Sequence, residues 1–154
     1  MASIGDILKL DGLIIDKFTV KASGDVTKGK LYCDDGSGGG LVIATAALAV
    51  ANKVVMALED HDYSEVSTHV ISAVVKGNVA VAKVSGSGLA AKGNKIMMSG
   101  TSGECAKFVA GDVTATVNET TVEAALVVDL GVIGYATATS IDADTVQEMF
   151  LGGA

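Results

Sequence analysis

The sequence predicts a mostly-β fold, a small β-barrel or β-sandwich with at most one or two short helices. Three observations point there. Apolar and polar residues alternate with period two through several segments, the mark of strands with one buried face. Clusters of Gly, Ser, Asp and Asn interrupt the chain at short intervals, as in barrels and sandwiches of many short strands. The 19 glycines supply turns in a chain that has no proline.

Taken in order, residues 1–12 hold the apolar side chains Ile4, Ile7, Leu8 and Leu10 and read either as an N-terminal arm or as the start of the domain's own first strand. Residues 13–154 read as a single β domain. Residues 17–22 alternate cleanly, and short strands are expected at 31–33, 41–44 and 54–58. Thr45 to Asn52 is Ala-rich and suits either two helical turns or an extended loop. Residues 66–75 and 79–84 are rich in β-branched side chains. Lys76-Gly77-Asn78 between them reads as a tight hairpin turn, because Gly accepts the positive φ such turns need. Further strands are expected at 96–99, 105–109, 113–117, 122–129, 132–138 and 146–151, with turn clusters at 34–40, 85–88, 99–103 and 118–121.

A weak repeat runs through the chain. Ser23-Gly24-Asp25-Val26-Thr27-Lys28-Gly29 resembles Ser87-Gly88-Leu89-Ala90-Ala91-Lys92-Gly93, and each is followed by a short apolar strand and a Gly/Ser turn. Two half-repeats, about 22–84 and 85–154, would account for it.

Composition bounds the function. The 154 residues suit one domain, able to bury roughly two-thirds of its unfolded surface without metal or disulfide. Hydrophobic residues make up 49% and charged residues 19%. The formal net charge is −7, and all 11 basic residues are Lys. Nucleic acid needs a basic footprint and favours Arg, so no nucleic-acid partner is expected, and no anionic membrane either. The N-terminus has no basic region followed by an apolar core, and the most apolar run, 41–51, is too short for a bilayer; a soluble product made in the cytoplasm is expected. That reading makes Asn118-Glu119-Thr120 a polar turn, not a glycosylation site.

No constellation of reactive groups stands out, and neither catalysis, a cofactor nor a metal is expected. Cys33 and Cys105 lie far apart and read as two semi-buried thiols. His61, within Glu59-Asp60-His61-Asp62, reads as part of a solvated turn, and His69 as a solvent-facing strand residue. Asp142-Ala143-Asp144 reads as a turn whose carboxylates cap local N–H groups. Gly36 to Gly40 lacks the Lys-Ser/Thr of a phosphate loop, and Ser85 to Gly88 lacks the spacing of a nucleophile elbow.

The order of motifs carries a resemblance. Ser23 to Leu31, Val54 to Asp60, Lys76-Gly77-Asn78-Val79, Gly131 to Ala138 and Val146 to Gly153 together resemble the small head-decoration (cement) proteins of tailed bacterial and archaeal viruses. The resemblance implies a β-tulip-like barrel that adds to the outer surface of a mature head. It implies the major capsid protein and the chain itself, as a homotrimer, as partners, and the virion as location. It also implies an N-terminal arm that pairs with the capsid as an added strand, with Ile4, Ile7, Leu8 and Leu10 as apolar anchors. Residues 110–126 are extra to the shortest family members. The alternative is a non-viral β-rich binding or carrier module, such as a lipoyl-type barrel; Lys28-Gly29 and Lys92-Gly93 lack the acidic flank of a modified hairpin lysine there.

Overall fold

The computed structural model describes residues 2–109, 119–120, 122–123 and 131–152. Among them the elements run β1 (Ile7–Thr19), β2 (Leu31–Asp34), β3 (Leu41–Ile43), α1 (Ala46–Ala51), β4 (Val55–Ala57), β5 (Val70–Ala82), β6 (Lys95–Met98), β7 (Cys105–Lys107), β8 (Val132–Ala136) and β9 (Val146–Leu151). The fold is mostly β, one sheet in the order β3-β2-β4-β5-β9-β8-β6-β7, with β1 added on β5. The sheet curls into a half-barrel. Short parallel bridges draw its turns together, Val20 to Leu41 at one end and Lys83 to Cys105 at the other.

The expected strands at 31–33, 41–44, 54–58, 96–99, 105–109, 132–138 and 146–151 each overlap an observed one. The strand expected at 113–117 lies outside the described residues, as do residues 124–129 of the one expected at 122–129, whose first two residues, Val122 and Glu123, are helical instead. Of the two readings of Thr45 to Asn52, the structure holds the helix. Thr45 caps it, its Oγ1 accepting from the Leu48 N–H at 3.3 Å, and the Asn52 side chain donates to the Leu48 carbonyl at 3.1 Å.

The hairpin expected at Lys76-Gly77-Asn78 is corrected. β5 runs unbroken from Val70 to Ala82. Gly77 pairs with Leu151 inside the ladder. Its φ of +150° and missing side chain serve a close approach: a Cβ there would stand 2.8 Å from Leu13 Cδ1. The same glycine signal thus marks backbone crowding in place of a turn. As a result β5 is long enough to pair with β1 on one side and with β4, then β9, on the other.

The strand registers recur along the chain. Tyr32, Cys33 and Asp34 face Ile43, Val42 and Leu41; raising every number by 64 gives the observed pairs Ile96–Lys107, Met97–Ala106 and Met98–Cys105. Leu31–Met56 and Tyr32–Val55 correspond to Lys95–Tyr135 and Ile96–Gly134. Met56–Val74 and Ala57–Ala73 correspond to Tyr135–Phe150 and Ala136–Met149. Phe18–Ile71 and Thr19–Val70 correspond to Val81–Gln147 and Ala82–Val146. The Val26–His61 bridge recurs as Ala90–Ser140. β5 therefore closes the first half and opens the second, so the halves overlap on one strand, whereas the sequence reading divides them after residue 84.

Two clusters fill the interior. The larger joins Leu31, Cys33, Met56 and Val74 of the first half to Ile96, Met98, Ala136, Met149 and Leu151 of the second, with Leu48 of α1 packed on it. The smaller, Val20, Val26, Tyr32, Leu41, Val55, Ala57, Ile71 and Ala73, fills the first half's own curl. Each fully buried Val, Leu, Ile or Met adds about 1.5–3 kcal/mol of transfer free energy.

Candidate interaction surfaces

The N-terminal stretch is docked on its own domain. Asp6 N–H donates to the Ser3 carbonyl at 3.0 Å, closing a turn, and Ser3 N–H donates to Asp6 Oδ2 at 2.8 Å. Gly5 N–H donates to the Ala80 carbonyl at 2.7 Å and Ala80 N–H to the Asp6 carbonyl at 2.9 Å. Ile4 lies on the Gly29 turn, where any Cβ would come within 2.1 Å of its Cγ2. From Ile7 the chain is β1, antiparallel to β5, so the boundary expected at residue 12 falls inside a strand. The register jumps from Lys9–Asn78 to Ile14–Lys76, and residues 10–13 bulge away from the ladder.

Among the described residues β1 pairs only with β5. Its outer edge therefore presents unpaired backbone groups, a template for another strand. Of the four expected anchors, Leu10 at the bulge is 79% exposed, Ile7 is exposed, and Leu8 is half-buried. Ile4 remains 37% exposed while resting on Gly29. Two residues not singled out in the sequence join them, Ile14 at 51% and Ile15 at 45%. Neighbours on a regular strand alternate faces, so both being exposed reflects the register shift between them.

The second surface was not expected from the sequence. A row of side chains crosses the second half on adjacent strands: Phe108 beside Lys95, Lys95 opposite Tyr135, Tyr135 opposite Phe150, and Phe150 opposite Asn78. The Tyr135 and Phe150 rings stack with centroids 5.5 Å apart. Lys95 Nζ lies 5.7 Å over the Phe108 ring and Lys76 Nζ 5.9 Å over the Phe150 ring. Tyr135, Lys95 and Lys76 are exposed; Phe108 and Phe150 are half-buried. Only strand order brings these residues together, so no local motif signals them.

The chemistry-bearing residues are otherwise placed as structure. His61 is a correction: it is buried, not solvated, and its Nε2 lies 3.2 Å from Nδ1 of half-buried His69. Tyr63 stacks on His69 at 3.7 Å. The loop between the two histidines folds back on itself, which their spacing does not reveal. The carboxylates around them hold backbone: Glu59 accepts from Ser72 N–H, Asp60 from Lys28 N–H, and Asp62 from Ser64, whose hydroxyl and N–H hold the Asp62 carboxyl below its usual range. Among the described residues no group of three or more His, Cys, Asp or Glu is placed to hold a metal ion.

Asp144 Oδ2 accepts the Ile141 N–H at 2.8 Å, and Asp142 Oδ1 accepts the Gly88 N–H at 2.7 Å, so the Asp-x-Asp pair caps turns. Lys83 is buried, with its Nζ donating to the Ile141 carbonyl at 2.8 Å, which ties that turn to β5. Cys33 and Cys105 are free thiols and fully buried rather than semi-buried. Burial pushes them up to about 11 and about 12, well away from thiolate chemistry at neutral pH. Lys21, hydrogen-bonded to Asp35, holds that carboxyl well below the usual carboxylate range and clamps the glycine loop at 36–40. A cleft of about 540 Å³ is lined by Lys28, Lys30, Asp60, Lys83 and Glu104. Its charges are largely answered within it, since Lys30 meets Glu104 at 3.8 Å. No helix among the described residues is long and apolar enough to cross a membrane.

No family model, curated protein or solved structure matches the chain.

Proposed function

We propose that this chain is a non-catalytic decoration protein of a tailed-virus head. In this reading it binds the major capsid protein on the outer surface of the mature shell, assembles as a homotrimer there, and uses neither cofactor, nucleic acid nor membrane. One observation supports it above the others: β1 is a 13-residue strand with Ile7, Leu10, Ile14 and Ile15 exposed and, among the described residues, no second strand on its outer edge. A monomer does not keep such an edge without a reason, because it invites association. A partner strand laid along it would gain ladder hydrogen bonds and bury four branched side chains together. Repetition over a symmetric shell multiplies each modest contact into avidity.

The reading differs from the expected free arm. Residues 5–9 are already paired to β5, so the donated element would be the partner's strand, received by β1.

Cosedimentation with purified mature heads stripped of their own decoration protein tests this. Binding that is lost in a Leu10→Asp/Ile14→Asp variant of unchanged circular dichroism is the expected result. Failure of the unaltered chain to bind any such head overturns the proposal. Light scattering on the bound and released protein checks the trimer, 3 × 15.4 = 46.2 kDa.

A further inference from the structure

Among the described residues, the fold covers one sheet face in its first half and leaves the equivalent face open in its second. Leu31, Met56 and Val74 are each 0% exposed, beneath the second half. By register their counterparts are Lys95, Tyr135 and Phe150. Tyr135 is 41% exposed and Lys95 is exposed. With Phe108 this open face carries half of the chain's six aromatic residues, 3 Phe and 3 Tyr in all. Aromatic side chains are enriched where proteins meet partners, not on idle surface.

Charge decides between occupants. On a chain of net charge −7, this face places two lysines, Lys76 and Lys95, within cation–π range of its rings. A second copy laid face to face would set two lysines against two, with Glu148, two residues from Phe150 on β9, as a carboxylate that strand alternation puts on the same face. Nucleic acid would meet two lysines, no arginine and an anionic body. An acidic polypeptide answers both features: carboxylates reach the ammonium groups, and an apolar or aromatic side chain lies on the paired rings.

We propose that the open face of the second half docks an acidic polypeptide segment, with Lys76 and Lys95 meeting its carboxylates and Tyr135 and Phe150 holding an apolar side chain between them. This surface adjoins β1, since Lys76 pairs with Ile14, but it does not depend on the capsid reading.

The test is a titration of the ¹⁵N-labelled chain by nuclear magnetic resonance. The probe is the capped peptide Glu-Asp-Phe-Glu-Asp-Phe, set against Lys-Lys-Phe-Lys-Lys-Phe and an oligothymidylate of about ten nucleotides. The expected result is shift changes confined to the strands carrying Lys76, Lys95, Tyr135 and Phe150, seen with the acidic peptide alone and weakening as salt screens the contact. A Lys76→Glu/Lys95→Glu variant should weaken binding about tenfold or more. Both residues are exposed, so its spectrum should otherwise stay folded; Tyr135→Ser gives an independent second variant. Absence of shifts, shifts elsewhere, equal response to the basic peptide, preference for the oligonucleotide, or concentration-dependent self-association through this face would each overturn the proposal.

Discussion

The two halves share their registers but differ in what they hide. Positions that the first half fills with Leu31, Met56 and Val74 are filled in the second by Lys95, Tyr135 and Phe150. The tips differ in the opposite sense. Asp25 and Asp62 flank the Val26–His61 bridge, while Leu89 and Ile141, 50% and 55% exposed, flank Ala90–Ser140. Backbone pairing is thus insensitive to which side chains it carries, provided the face turned inward is apolar. The same ladder tolerates opposite surfaces on its two copies, and what surrounds each position decides how much that side chain matters.

Equivalent substitutions should therefore have unequal effects. Met56→Ala opens a cavity in the shared core and should cost about 2–5 kcal/mol in urea unfolding, whereas Tyr135→Ala at the matching place should cost no more than about 1 kcal/mol. Equal losses would mean that the open face is covered after all.

The paired turn glycines give the next contrast. Gly29 and Gly93 have φ of +81° and +89°. Gly93→Ala meets open space and should cost only the left-handed strain, about 1–2 kcal/mol. Gly29→Ala also strikes Ile4 and the Gly5 nitrogen, adding about 1–3 kcal/mol and loosening the N-terminal turn. Faster hydrogen exchange at the Gly5 amide would register that loosening.

A third contrast lies at the second bridge. Ser140 Oγ donates to Gln147 Oε1 at 2.6 Å, a buried polar pair where the first half has His61 and Ile71. Ser140→Ala leaves that oxygen without its donor and should cost about 1–3 kcal/mol by the same urea assay.

The smallest effect at neutral pH involves the thiols. An unfolded cysteine ionises near about 8.5. The folded Cys33 and Cys105 hold their protons up to about 11 and about 12. Between those limits the folded chain keeps protons that the unfolded chain has released, so stability is intact below about pH 8.5 and falls as pH rises beyond it. A Cys33→Ala/Cys105→Ala variant should show a flatter alkaline profile. In the unaltered chain neither thiol should react with Ellman's reagent at pH 8 (roughly the free-thiol range) until denaturant is added.

Much of the fold was readable because period two and turn chemistry are local. The turns at 34–40, 85–88 and 99–103 and the short strands beside them needed no long-range information. The misreading of Lys76-Gly77-Asn78 has a physical cause: glycine marks either positive φ in a turn or crowding in a strand, and only Leu13, distant in sequence, distinguishes them. The candidate surfaces were less readable. Ile4, Ile7, Leu8 and Leu10 were visible as an apolar cluster, but pairing to β5 decides which of them face out. The Phe108–Lys95–Tyr135–Phe150 row exists only once four strands are side by side. The contact between His61 and His69 likewise depends on the fold of the loop between them.

The shared strand has a consequence for how the molecule opens. β5 holds β1, β4 and β9 at once, and Val74, Val79 and Val81 on it belong to the larger core. Neither half can be released without dissolving a ladder of the other. Hydrogen exchange should therefore find no subglobal step that separates the halves: amides of β5 should exchange only by whole-molecule unfolding, with one common opening free energy equal to the global value. The duplicated pattern behaves as a single cooperative unit because its two copies have one strand between them.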